Sequence, residues 1–196
     1  MTEATAAAKV RLRAELRERL ARQSASERKA KSERIVAALD AMPDVRAANL
    51  LVLHRPLPSE VSIDGLLALA LARGPRVLAP RVAGQRLELV SISVDTDWRR
   101  STLGVLEPHD GKAFPLEDFR GVSTVIVVPG LGFDARRNRL GRGGGHYDRF
   151  IAAARAIAPV LVVGVAYELQ VVSKIPVEPH DESVDRLATE ARILVR

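Results

Sequence analysis

The sequence predicts an α/β fold, a mostly parallel sheet covered on both faces by helices, in one domain spanning residues 1–196. Three observations carry this expectation. Segments with apolar residues at helical spacing alternate with short apolar runs of strand length, the order that builds parallel sheets through crossover helices. The runs "VSTVIVVPG" and "PVLVVGVAY" are apolar at nearly every position, as strands buried on both faces are. At 196 residues, with 47% hydrophobic and 28% charged, the chain is long enough for one full core and short for two.

Each element follows in chain order. From Thr5 to about Ala21, Val10, Leu12, Leu16 and Leu20 recur at helical spacing with no glycine or proline between them. Ser24 or Ser26 can cap a second helix, with Glu27 in its first turn, which runs until Pro43 stops it. "AANLLVLHRPLP" reads as a buried strand ending in a proline-punctuated turn, "SIDGLLALALARG" as a helix ended by Gly74, and "PRVLAPRV" as a second strand. "RLELVSI" alternates and reads as a strand at an edge. Residues 94–121 have no clear period and are read as a long loop with short pieces of structure. "VSTVIVVPG" is then a strand, "DRFIAAARAIA" a helix, "PVLVVGVAY" a strand, and "ARILVR" the last strand after a further loop.

Composition removes several function classes. The longest apolar runs are broken by proline or glycine well short of a bilayer's width, so no transmembrane helix is expected. The N-terminus has no apolar block followed by a small-residue cleavage site, and there are no cysteines, which together point to the cytoplasm. The formal charge is +6, yet aromatic residues make up only 4% and are scattered, so no stacking platform for nucleic acid is expected. Most of the excess lies in residues 9–34, interleaved with glutamates, a pattern that fits a solvated helix face. No long exposed apolar face stands out, and a monomer is expected.

The stretch "RNRLGRGGGHYDRF" carries the chemistry. A backbone wraps a phosphate closely only where side chains are absent, which Gly141, Gly143, Gly144 and Gly145 provide. A helix beginning near His146 or Tyr147 adds its free N–H groups and positive dipole end. Arg139 and Arg142 offer forked donors to phosphate oxygens. Asp148 suits such a site if magnesium lies between it and the phosphates. The spacing is neither the dinucleotide fingerprint nor a Walker loop, and on these residues alone a flexible turn remains the rival reading.

The longer string "VPGLGFDARRNRLGRGGGHYDRF" resembles the signature of the 5-formyltetrahydrofolate cyclo-ligases, also called methenyltetrahydrofolate synthetases. Three further stretches fall in that family's order: "KVRLR", "SEV" after the first strand, and "EPHDESVD". The resemblance runs from Lys9 to Asp185 and implies a three-layer Rossmann-like α/β sandwich. It implies conversion of 5-formyltetrahydrofolate to 5,10-methenyltetrahydrofolate with ATP and Mg2+ and release of ADP and phosphate. By the same resemblance Lys9, Arg13, Arg139, Leu140, Gly141, Arg142, Gly143, Gly144, Gly145, His146 and Tyr147 bind ATP. Tyr147 and Arg142 act at the reacting centre, Arg55, Glu60 and Tyr147 meet the folate, and Asp148 and Asp181 hold the metal.

Plainer readings stand beside these assignments. Glu60 reads equally as an exposed loop acid, Asp181 as part of an acidic turn with Glu178, Glu182 and Asp185, and His180 as a supporting or surface residue. His54 and His109 carry no pattern and are read as strand-end and loop residues. The chain departs from the family where His146 stands in place of a tyrosine, where Leu103 stands in place of an aromatic, and where "RLELV" lacks a methionine. These departures keep open a divergent paralogue that binds nucleotide or RNA without cyclising anything, and an ATP-dependent enzyme acting on another amide or formyl compound.

Overall fold

The computed structural model describes residues 3–195. Helix α1 spans Glu3–Ala21, and α2 spans Ala25–Ala41. Ser24 is the residue that caps α2: its hydroxyl accepts from Glu27 N at 3.2 Å while its own N donates to Glu27 Oε2 at 2.7 Å, a reciprocal capping box. Pro43 follows the end of α2 as expected and also opens a short helix α3 (Pro43–Ala47), where its missing N–H costs nothing.

Strand β1 (Leu50–Val52) leads by way of a loop to α4 (Asp64–Arg73), which ends at Gly74 with φ 101°. Strands β2 (Arg76–Ala83) and β3 (Arg86–Ser91) form an antiparallel pair. The segment expected to be mostly loop contains a small hairpin, β4 (Trp98–Arg100) with β5 (Leu106–Pro108), and a further strand β6 (Ala113–Phe114). After β7 (Thr124–Pro129) come the short strands β8 (Gly132–Asp134) and β9 (Arg139–Leu140), helix α5 (His146–Ile157) and strand β10 (Leu161–Val165). Strands β11 (Val171–Val172), β12 (Arg186–Ala188) and β13 (Ile193–Leu194) complete the chain, and Arg196, the last residue of the expected final strand, lies outside the described residues.

The main sheet has the order β13-β12-β10-β7-β1-β2-β3-β6. Its centre, from β12 to β2, is parallel, and its flanks are antiparallel. This is the three-layer α/β arrangement the sequence predicts. Two details differ from expectation. Strand β3 is not at the edge, because β6 pairs beside it through Leu89 with Phe114 and Val90 with Ala113. Strand β12, carrying one arginine and only three residues long, had no apolar run to announce it.

Strand alternation divides the core into two layers. Leu51, Val77, Val125, Val127 and Val163 face one side, where Leu16 of α1, Ile35 and Leu39 of α2 and Leu66 of α4 cover them. Leu50, Leu78, Ile126, Val128 and Val162 face the other, against Phe150, Ile151 and Ala154 of α5. Each side chain so enclosed contributes about 1.5–3 kcal/mol relative to exposure, which is why the sheet interior reads as unbroken Val, Ile and Leu. The chain proceeds from β1 to β2 on one side and from β7 to β10 and β12 on the other, so connections diverge at the β1–β7 seam. In open α/β sheets that point, at the carboxyl ends of the strands, is where a cleft forms.

Candidate active site

A cleft of about 580 Å³ opens at that seam. Its floor is made by residues just past β1 (His54 and Arg55), by Pro80 and Val82 of β2, and by Pro129 at the end of β7 with Gly130 after it. Helix α1 closes one side with Lys9 and Arg13, and the β4–β5 hairpin closes another with Leu103, Val105 and Glu107. Every site residue expected from the sequence lines it: Lys9, Arg13, Arg55, Glu60, Asp148, Asp181 and the run Arg139–Tyr147.

The glycine bend lies between β9 and α5. Gly143 has φ 115° and Gly145 φ 65°, values at which an L side chain is strained, so glycine at these two positions sets the path of the bend. Gly145 is the N-cap of α5 and offers no side chain to cap the first turn, leaving its amides open toward the cleft residues. Arg149, one turn into the helix and not singled out from the sequence, fastens the bend from outside by donating to Gly144 O at 2.8 Å and Gln85 O at 2.6 Å. Arg13 Nε donates to Gly141 O at 2.9 Å, tying α1 to the start of the bend.

Four cations, Arg139, Arg142, Lys9 and Arg55, define the electrostatics. Arg139, buried, donates to Asp148 Oδ1 at 2.7 Å, and its guanidinium lies 5.6 Å from the Tyr147 ring centre, within cation–π range. Arg142 Nε donates to Glu60 Oε1 at 3.0 Å, bringing the bend against the loop after β1. Lys9 Nζ donates to Glu178 Oε2 at 2.8 Å and to Asp181 Oδ2 at 2.5 Å. Asp181 also accepts from Glu178 N at 2.7 Å, which closes the turn. Arg55 lies 5.1 Å from the Trp98 ring centre and pairs with Asp64 at 3.4 Å.

Protonation follows from these surroundings. Burial alone would pull the Lys9 ammonium down, but hydrogen bonds to Asp181 and Glu178 and their charges hold it above its ordinary value, so it stays charged. Burial pushes the Tyr147 phenol well up, reinforced by Glu60 and opposed by Arg139, so it remains a neutral donor at working pH. Burial pulls His54 down, with Glu60 acting weakly the other way, and keeps that ring neutral.

Of the expected metal pair, Asp181 lies in the acidic turn and Asp148 in the first turn of α5, and Asp148 is not among the close ligand atoms of that turn. Glu182 N donates to Asp148 Oδ1 at 3.3 Å, so the turn and the start of α5 are in contact. Within the turn, ligand atoms of Glu178, His180 and Asp181 lie within 4.8 Å of one another. Glu178 Oε1 is buried without a hydrogen-bond partner, which makes Glu178 a candidate that sequence reasoning passed over as one acid among several. His54 was also missed. It is a lone histidine with no spacing signal, and only the sheet topology brings it to the seam.

Comparison with known proteins identifies the family. The 5-formyltetrahydrofolate cyclo-ligase family pattern matches residues 5–190. The chain is 27% identical over 191 residues to the 5-formyltetrahydrofolate cyclo-ligase of Mus musculus, covering 93% of this chain and 94% of that protein. It is 36% identical over 148 residues to the enzyme of the same name from Mycolicibacterium smegmatis, covering 71% and 73%. The solution structure of Aquifex aeolicus 5,10-methenyltetrahydrofolate synthetase superposes with a TM-score of 0.79 at 30% identity, covering 94% of this chain and 91% of that one. Together with the glycine bend, its arginines and the acidic turn meeting in one cleft, these matches show that the chain belongs to the 5-formyltetrahydrofolate cyclo-ligase family.

Proposed function

We propose that this protein uses ATP to close 5-formyltetrahydrofolate into 5,10-methenyltetrahydrofolate, releasing ADP and phosphate. The observation that carries the reading is the meeting, in one cleft, of an uncapped helix start and glycine bend with Lys9, Arg13, Arg139 and Arg142, beside a half-buried neutral tyrosine. Such an array suits a triphosphate: backbone amides and cations complement charge on the transferred phosphoryl group.

In this reading the formyl oxygen attacks the γ-phosphorus, forming a P–O bond as the bond to the ADP oxygen breaks. The formyl carbon becomes an iminium carrying a phosphate leaving group. N10 donates its lone pair to that carbon and loses its proton, and departure of phosphate leaves the methenyl bridge. Arg142 and the amides of Gly143–Gly145 hold the phosphoryl oxygens, Lys9 and Arg13 the remainder of the phosphate tail, and the Tyr147 hydroxyl donates at the reacting oxygens. Glu60 and Arg55 orient the folate. The enclosure of Arg139 with Asp148 keeps the start of α5 in place while charge moves.

The donor set suits magnesium. Asp148, Asp181 and the unpartnered Glu178 Oε1 are hard oxygens beside the phosphate side of the cleft. These residues would hold the ion, which neutralises phosphate charge when bound. The cysteine-free composition fits a reducing compartment, and we place the protein in the cytoplasm as a monomer of one domain. Among the described residues no helix is long and apolar enough to cross a membrane. The RNA-binding alternative finds no support among the relatives, and Lys9 of the basic helix faces carboxylates in the cleft instead of solvent.

The test is direct. Purified protein with ATP, magnesium and 5-formyltetrahydrofolate should generate the methenyl chromophore with one ADP per ring closed. Absence of the chromophore in folded protein overturns the proposal.

A further inference from the structure

We infer that His54 is a substrate-binding residue of the cleft, its Nε2 accepting a hydrogen bond from a ring N–H of the reduced folate. The inference rests on the folate reading above and extends it to a residue with no motif. His54 lies two residues past the end of β1, at the seam where chain connections diverge, is 3% exposed, and lines the cleft.

Its tautomer is set by its neighbour. His54 Nδ1 is 3.3 Å from Val127 O on the adjoining strand. A carbonyl only accepts, so Nδ1 carries the hydrogen and Nε2 keeps its lone pair. That Nε2 is buried and has no hydrogen-bond partner. A buried acceptor left unpaired is costly, and native structures keep such atoms mainly where a ligand or an ordered water completes them. Burial holds the ring neutral, so the lone pair persists at working pH.

The neighbouring acceptor is partly engaged. Glu60 Oε1 accepts from Arg142 Nε at 3.0 Å, and Glu60 Oε2 accepts from Leu57 N at 2.9 Å. A reduced pterin presents several N–H donors and needs acceptors in the wall that receives it. His54 supplies one whose other nitrogen is anchored to the sheet, so the ring cannot turn away without breaking that bond.

Ring N–H donors persist when the five-membered ring closes, so this contact is made equally in substrate and transition state. Its loss should raise KM and leave kcat unchanged. The experiment compares wild type with His54→Phe and His54→Gln in steady-state assays. His54→Phe should raise KM for 5-formyltetrahydrofolate about tenfold, with kcat and KM for ATP within about twofold. His54→Gln, whose amide can donate to Val127 O and still present an oxygen, should return KM to within about threefold of wild type.

A second measurement needs no variant. The protein has 4 histidines, so the imidazole nitrogens can be followed by NMR while 5-formyltetrahydrofolate is added. The Nε2 resonance of His54 should move from an unbonded toward a hydrogen-bonded position. An unchanged folate KM in folded His54→Phe, or an unmoved Nε2 resonance at saturating folate, overturns the inference. If His54→Phe does not fold, the resonance decides. Wild type that neither turns over nor binds the folate overturns the functional reading beneath it as well, whereas active wild type with a silent His54 overturns this inference alone.

Discussion

The two walls of the cleft hold their charged pairs at different depths. On the α1 side, Lys9 is enclosed by Glu178 and Asp181, with side-chain exposures of 7%, 7% and 15%, one cation held between two carboxylates. On the α5 side, Arg142 is 41% exposed and pairs with Glu60 and Ser59 at the cleft surface, and no side chain caps the first turn of the helix. The contrast separates charge enclosed within the protein from charge held at the surface of the cleft. Removal of the first should cost stability as well as turnover, and removal of the second should cost turnover with little loss of stability.

Asp148, in the first turn of α5 and in contact with Glu182 N of the acidic turn, should give the largest effect. Asp148→Asn keeps an oxygen for Arg139 but removes the negative charge, and we expect kcat to fall by roughly 10²–10³ with the circular dichroism spectrum unchanged. Turnover near wild type would dissolve the distinction at its centre. Lys9→Met comes next. It leaves Glu178 and Asp181 facing each other without a cation, and urea unfolding should show a loss of about 3 kcal/mol.

That loss should depend on pH in a defined direction. The folded Lys9 pKa is raised above the ordinary 10.5, so its contribution is fully present below 10.5 and disappears as pH rises through the folded value. The difference between wild type and Lys9→Met should therefore be constant across neutral pH and shrink only in strong alkali. Gly143→Ala introduces a side chain at φ 115°, and a strain of roughly 1–2 kcal/mol should appear mainly as weaker ATP affinity in calorimetry. The smallest change is expected for Arg142→Lys. An exposed pair contributes at most about 1 kcal/mol, so the melting temperature should barely move while kcat/KM falls about tenfold for want of the forked donor.

Much of this molecule is legible in its sequence because local and global signals agree. Val125 to Val128 are apolar at every position since β7 is covered on both faces, and Gly74 marks the end of α4 since only glycine takes φ 101° without strain. The glycine bend is legible for the same reason, as its backbone conformations and its composition are one fact. What is hidden depends on contacts between distant segments. Strand β12 is only three residues long, Arg186, Leu187 and Ala188, too short to leave a periodic trace although Leu187 and Ala188 are buried on opposite faces of the sheet. The β4–β5 hairpin is three residues a side with Pro108 at its end, too short to read above its turns. His54 and Glu178 acquire meaning from an unpaired atom each, a property of the folded surroundings that no spacing records.

The ion pair between Lys9 and Asp181 joins residues separated by 172 positions. During synthesis, the first helix leaves the ribosome long before its acidic partners are translated, and it must wait with a cation exposed while the sheet assembles strand by strand. The catalytic pocket is therefore one of the last things the growing polypeptide can finish. A nascent chain halted before that acidic turn emerges has its glycine bend but lacks the opposite wall, and so should be inert until the ribosome delivers the final stretch.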